Sequence, residues 1–129
     1  MDKLEYIPRD LVSVYVGIKK YIVEVIGTEN ENEVLSYQIK FPNGEIQYAD
    51  KDNIVPIPLT PEILEKNGWK VSSECRWIYV KEDNVKIFRL LDDIHYAAYI
   101  GFVRLLEFQH IHQLQHLLFG LGINHKMEV

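Results

Sequence analysis

The stretch from Val34 to Phe41 constrains the first half of this chain more than any other. Leu35, Tyr37, Ile39 and Phe41 alternate with Ser36, Gln38 and Lys40, the period of a strand with one buried face. The stretch runs into Pro42-Asn43-Gly44-Glu45, and an Asn-Gly pair is the strongest short signal for a hairpin turn. Ile46 to Ala49 then returns as a second strand. Upstream, Leu11–Val16 and Tyr21–Ile26 are rich in β-branched residues and are separated by Gly17-Ile18-Lys19-Lys20, which reads as a turn. Residues 27–33 read as a polar loop, Asp50 to Asn53 as one helical turn, and Ile54–Ile57 as a last short strand. Five short strands in about fifty residues predict a small antiparallel barrel of the SH3-like type over residues 1–58.

Pro56-Ile57-Pro58 is a stiff connector and marks a domain boundary. Thr60 is placed to cap a helix whose first residue is Pro61, where a missing N–H costs nothing. Leu59 and Leu64 are spaced for a hydrophobic staple, and Gly68 for a left-handed C-terminal cap. A helix is therefore predicted over Pro61–Asn67. Strands follow at Trp77–Val80 and Val85–Leu91, with Glu82-Asp83-Asn84 and Asp92-Asp93 as turns. Two more strands are predicted at about 95–100 and 103–109, a helix over Ile111–Leu121 closed by Gly122, and a short terminal strand at Met127-Glu128-Val129. The predicted class is α+β: the N-terminal barrel, then residues 59–129 as an antiparallel sheet packed by a C-terminal helix rich in His and Gln.

That last helix carries the candidate site. At about 100° per residue from His110, Ile111, Leu114, Leu117, Leu118 and Leu121 fall between about −20° and 100°, one apolar stripe. His112 and His116 fall at about 200° and 240°, with Gln115 near 140° and Phe119 near 180°. The prediction places both histidines outside the domain's own core. A phenylalanine on that side calls for a cover, supplied by the barrel, a second copy or a foreign protein. His112, Gln115, His116 and Phe119 are thus the candidate partner-binding residues. One turn apart, His112 and His116 also have the spacing of a zinc-binding pair. A third ligand would have to come from His95, Asp92, Asp93 or Cys75.

Other chemistries are less well supported. The net charge is −5, and residues 1–58 hold ten acidic against six basic residues. A phosphate-backbone binder needs a concentrated positive patch, and Lys19, Lys20 and Lys40 are the only basic group near one barrel face. Cys75, the single cysteine, precludes an internal disulfide and has no evident activating base besides Arg76. Asp92 and Asp93 are adjacent, so in a strand they would point to opposite sides. None of the phosphate-loop, dinucleotide, nucleophile-elbow, HExxH or CxxC motifs occurs. Trp69 and Trp77 read as core anchors. Met1-Asp2-Lys3-Leu4-Glu5 lacks the form of a signal peptide, and no apolar run reaches the roughly 18 residues of a membrane span. A cytoplasmic protein is expected, with no catalytic residues, no cofactor (zinc being the alternative) and no membrane or nucleic-acid partner.

Two runs carry a resemblance. Ile57-Pro58-Leu59-Thr60-Pro61-Glu62-Ile63-Leu64-Glu65-Lys66-Asn67-Gly68-Trp69 is similar to I-P-L-T-x-E-x-L-x-x-x-G-F, and Ile111-His112-Gln113-Leu114-Gln115-His116-Leu117 to V-H-Q-L-Q-x-L. Both motifs belong to a family of short uncharacterised proteins from Bacteroidetes-type genomes and their phages. The chain departs from them mildly, at Trp69 and Ile111. His116 falls on a variable position, which shifts weight to His112, Gln113 and Gln115. The family carries no assigned activity. What the resemblance implies is an accessory protein of bacterial or phage origin.

Overall fold

The structure is a computed structural model that describes residues 6–31, 34–81 and 84–129. The predicted turn residues Glu82 and Asp83, the loop residues Asn32 and Glu33, and Met1 to Glu5 lie outside the described residues. The chain divides into two compact units, one reaching to Ile57 and the other spanning Pro58–Val129. The class is α+β, with mostly antiparallel strands and a C-terminal helix.

In the first unit, β1 (Leu11–Val16), β2 (Lys19–Glu31), β3 (Val34–Lys40), β4 (Ile46–Asp50) and β5 (Ile54–Pro56) form one antiparallel sheet. The order is β4-β3-β2-β1-β5, and a one-turn 3-10 helix, Lys51–Asn53, links β4 to β5. Among the described residues no pairing joins β4 to β5, so the sheet is open rather than a closed barrel. The inward positions supply the core: Val12, Val14, Val23, Val25, Tyr37, Ile39 and Ile54 are buried, and Tyr6 meets Tyr37 edge-on at 5.3 Å. Gly44, at φ 90°, takes the left-handed position that the β3–β4 turn requires. The predicted loop after Ile26 is instead strand. A register shift between Val25 and Gly27 absorbs an extra residue, and β2 then continues against β3, Thr28 opposite Tyr37 and Glu29 opposite Ser36.

In the second unit, α1 (Pro61–Lys66) has its ends where the sequence places them. Thr60 Oγ1 accepts the N–H of Ile63 at 3.2 Å. At the other end Gly68 N–H donates to Glu65 O and Trp69 N–H to Leu64 O, the paired bonds of a Schellman cap, with Gly68 at φ 88°. The sheet has the order β10-β9-β8-β7-β6, made of β6 (Lys70–Val71), β7 (Ile78–Val80), β8 (Val85–Arg89), β9 (Tyr96–Ile100) and β10 (Val103–Phe108). The two-residue strand β6 is too short to leave a periodic pattern and was not expected. α2 (Ile111–Gly120) follows β10 directly, and Tyr79, Ile87, Tyr96, Phe108, Ile111, Leu114 and Leu118 are buried with Leu64 and Trp69. Trp77, expected in the core, is 36% exposed, with the guanidinium groups of Arg76 and Arg89 at 5.0 and 4.8 Å from its ring centre. The tail 127–129 forms no strand, yet it is tied down. Glu128 N–H donates to Asn67 Oδ1 at 2.7 Å, and Asn67 Nδ2 donates to Glu128 O at 2.8 Å.

Candidate functional site

The buried face of α2 is rotated from its predicted position. Ile111, His112, Leu114, Gln115 and Leu118 are buried, an arc from about 40° to 200° on the helical wheel rather than −20° to 100°. The cause is the C-terminal tail, which supplies a second wall. Gln115 Nε2 donates to His125 O at 3.0 Å, and the Phe119 and His125 rings meet edge-on at 4.9 Å. A cover that arrives from outside the helix leaves no mark on the helix's own periodicity. The expectation that His112 lies outside the core is therefore corrected: it is 4% exposed, and Gln115 is fully buried. His116 is half-buried, while Phe119 remains 59% exposed and Leu121 37%. Of the four predicted contact residues, Phe119 is the one presented outward.

The histidines do come together, as a stack. His110 and His112 rings lie 5.8 Å apart and nearly parallel; His112 and His116 rings lie 5.5 Å apart and edge-on. Among the described residues no group of three or more His, Cys, Asp or Glu side chains is placed to hold a metal ion, so His95, Asp92, Asp93 and Cys75 do not complete this pair. Gln113 is a capping residue. Its Oε1 accepts the N–H groups of Gln109 and His110, both at 3.0 Å, satisfying donors at the helix start. With the oxygen so occupied, the amide nitrogen of Gln113 is left to donate elsewhere.

A second cluster forms at the β8–β9 turn, where the sequence suggested an acidic turn and candidate third ligands for the histidine pair of α2. One oxygen of Asp92 accepts the N–H groups of Ile94 and His95, each at 2.9 Å, and the other lies 2.6 Å from His95 Nδ1. The backbone donor of His95, then that of Ile94, stabilise the carboxylate and hold Asp92 down at about 2. The hydrogen bond to Asp92 raises His95 above its ordinary value. Asp92 holds Nδ1, and the side chain of Gln109 is a second hydrogen-bond partner of the same ring. His95 borders a groove of about 370 Å3 together with Glu107, Phe108, Gln109, His110 and Gln113. Glu107 pairs with Arg104. No residue bordering the groove carries a hydroxyl or thiol nucleophile. The signal for this cluster was local: an Asp three residues before a His in a tight turn can cap the turn and hold the ring together.

Among the described residues no helix is long and apolar enough to cross a membrane. No protein-family model, no curated protein and no solved structure matches this chain.

Proposed function

We propose that this protein is a non-catalytic interaction module, an accessory protein of bacterial or phage origin that works by contacting another protein or a second copy of itself. The observation that carries the reading is the exposure of large apolar side chains on α2 and on the β9–β10 hairpin. Phe119 is 59% exposed on α2, and Phe102, at the β9–β10 turn, is fully exposed beside Val103 at 64%. Leu105 and Leu106, each 37% exposed, extend the run along β10, and a run of exposed apolar residues rather than a scattered one marks a contact surface. The SH3-like reading of the first unit belongs to this proposal. It is supported by the strand order β4-β3-β2-β1-β5 and by the 3-10 turn that precedes β5.

The test is the association state of the full chain and of Phe119→Asp, followed by sedimentation velocity and by crosslinking in a bacterial lysate. The variant is expected to keep its circular dichroism and to lose an association that the parent shows. Unchanged association in a folded variant sinks the reading. The zinc alternative rests on the spacing of His112 and His116. It predicts stoichiometric zinc and a melting temperature that rises with added zinc; a melting temperature insensitive to zinc removes it.

A further inference from the structure

Strand β10 is the edge of the second sheet and pairs with β9 alone. Among the described residues, the next chain to pair here, Pro58-Leu59, meets Gln109 and His110, beyond the strand's end. The strand is exposed from Val103 to Glu107, and its apolar residues Val103, Leu105 and Leu106 are exposed with it. A bare edge presents main-chain donors and acceptors in a row, and the complementary shape is another strand.

The strand's own charges say which one. Between Tyr96 and Gln109, Arg104 and Glu107 are the only charged residues. Lys86 and Arg89 stand on β8, with β9 between them and the edge, and Asp92 and His95 bond to each other in the turn. In a regular strand Arg104 and Glu107 would point to opposite faces. A register shift between Arg104 and Leu106 changes this: Arg104 lies opposite Tyr99 and Glu107 opposite Ala97, which share one face of β9. Val103, Leu106 and Phe108, opposite Ile100, Ala98 and Tyr96, share the other. A bulge often turns an edge away from partners; this one sets both charges on one face, where they pair within the chain. A second copy of Val103–Phe108, laid antiparallel over the full length of the first, puts Val103 opposite Phe108, Arg104 opposite Glu107 and Leu105 opposite Leu106. Apolar then meets apolar, cation meets anion on the same face, and a two-fold axis makes each contact twice. Laid parallel in register, the same strand would set Arg104 against Arg104. We infer that this edge takes a second copy of the chain, two copies joining β10 to β10 about a two-fold axis into one continuous sheet. The inference rests on the interaction-module reading and names its partner. Phe119, on α2, is outside the strand, so each can fail alone.

The test is sedimentation velocity of the full chain, of Arg104→Glu and Glu107→Arg singly, and of an equimolar mixture of the two variants. Both side chains are half-exposed, so the exchanges leave the core untouched, and circular dichroism checks each fold. The parent is expected to dimerise. Each variant alone lines both strands with one sign of charge and is expected to dimerise about tenfold more weakly or worse. In the mixture a strand with two carboxylates meets a strand with two cations, and dimerisation is expected to return. A purely intrachain role for the Arg104–Glu107 pair would give no such rescue, because each chain of the mixture still carries like charges. The register is read by NMR of mixed, differently labelled chains, in which backbone contacts between Val103 and Phe108 are expected across the dimer. A dimer without those contacts overturns the inference. So does a parent still monomeric at about 1 mM, a single variant that dimerises like the parent, or a mixture that recovers nothing. If Phe119→Asp abolishes association and the charge variants do not, the strand is lost and the wider reading stands. If the charge variants dissociate, their mixture recovers and Phe119→Asp changes nothing, the strand stands without the helix surface.

Discussion

Gln115 shows what a polar residue in the middle of an amphipathic helix can be for. It is fully buried, and its amide reaches the carbonyl of His125, so one side chain fastens the C-terminal tail to α2. Gln115→Leu keeps the volume and removes the bond, leaving that carbonyl short of its partner. A loss of about 1–3 kcal/mol is expected by urea denaturation, with faster amide exchange confined to the last residues. Unchanged exchange in the tail would show that Gln115 does not hold it. Asp92 and His95 make a second residue-scale device, and its pH window follows from the two shifts. Asp92 titrates at about 2 instead of 3.8, so its contribution is present above 3.8 and lost as pH falls toward 2. His95 titrates above 6.5, so its contribution is complete below 6.5 and lost as pH rises through the raised value. The pair is therefore intact between those limits. Asp92→Asn is expected to return the His95 titration, followed by NMR of the ring protons, to near its ordinary value. A titration that stays high would mean that some other group holds the charge.

Elements were legible where the controlling information is local. α1 was readable to within a residue because Thr60, Pro61 and Gly68 each impose a backbone state by themselves. Thr60→Ala is expected to cost about 1 kcal/mol, read from the shift in denaturation midpoint; no shift would mean that the Ile63 N–H is satisfied without the hydroxyl. The β3–β4 and β9–β10 hairpins were readable from Asn43-Gly44 and from Gly101. What escaped is set by partners distant in sequence. Strand β2 runs on past Ile26 because β3 offers it a ladder, although residues 27–31 are polar and look like loop. The face of α2 that is buried depends on a tail that arrives after the helix has ended. The same cause hid the candidate site: the helix alone marks His112 and Gln115 as contact residues, yet they are covered, whereas Asp92 and His95, expected as a turn residue and as candidate third ligands, bond to each other instead. Phe119 kept its predicted exposure, at 59%.

At the scale of the molecule, two sheets have separate hydrophobic cores. The Tyr6-to-Ile54 cluster belongs wholly to the first unit, and Leu64, Trp69, Tyr96 and Leu114 to the second. Units with their own cores can fold alone. A fragment covering Pro58–Val129 is expected to give a dispersed amide spectrum that overlays on the matching signals of the full chain; a collapsed spectrum would mean that the second core needs the first. The Asn67–Glu128 clasp has a consequence for how this fragment can be handled. It joins positions 61 residues apart, at the last turn of a helix that begins only a few residues after Pro58. The two ends of the fragment are thus separated by no more than a two-turn helix and the three residues before it, within roughly 20 Å. A chain whose ends nearly meet is, in topological terms, almost a ring. With a linker of a few residues it can be joined end to end and reopened at the exposed β8–β9 turn, or seated whole in a surface loop of another protein.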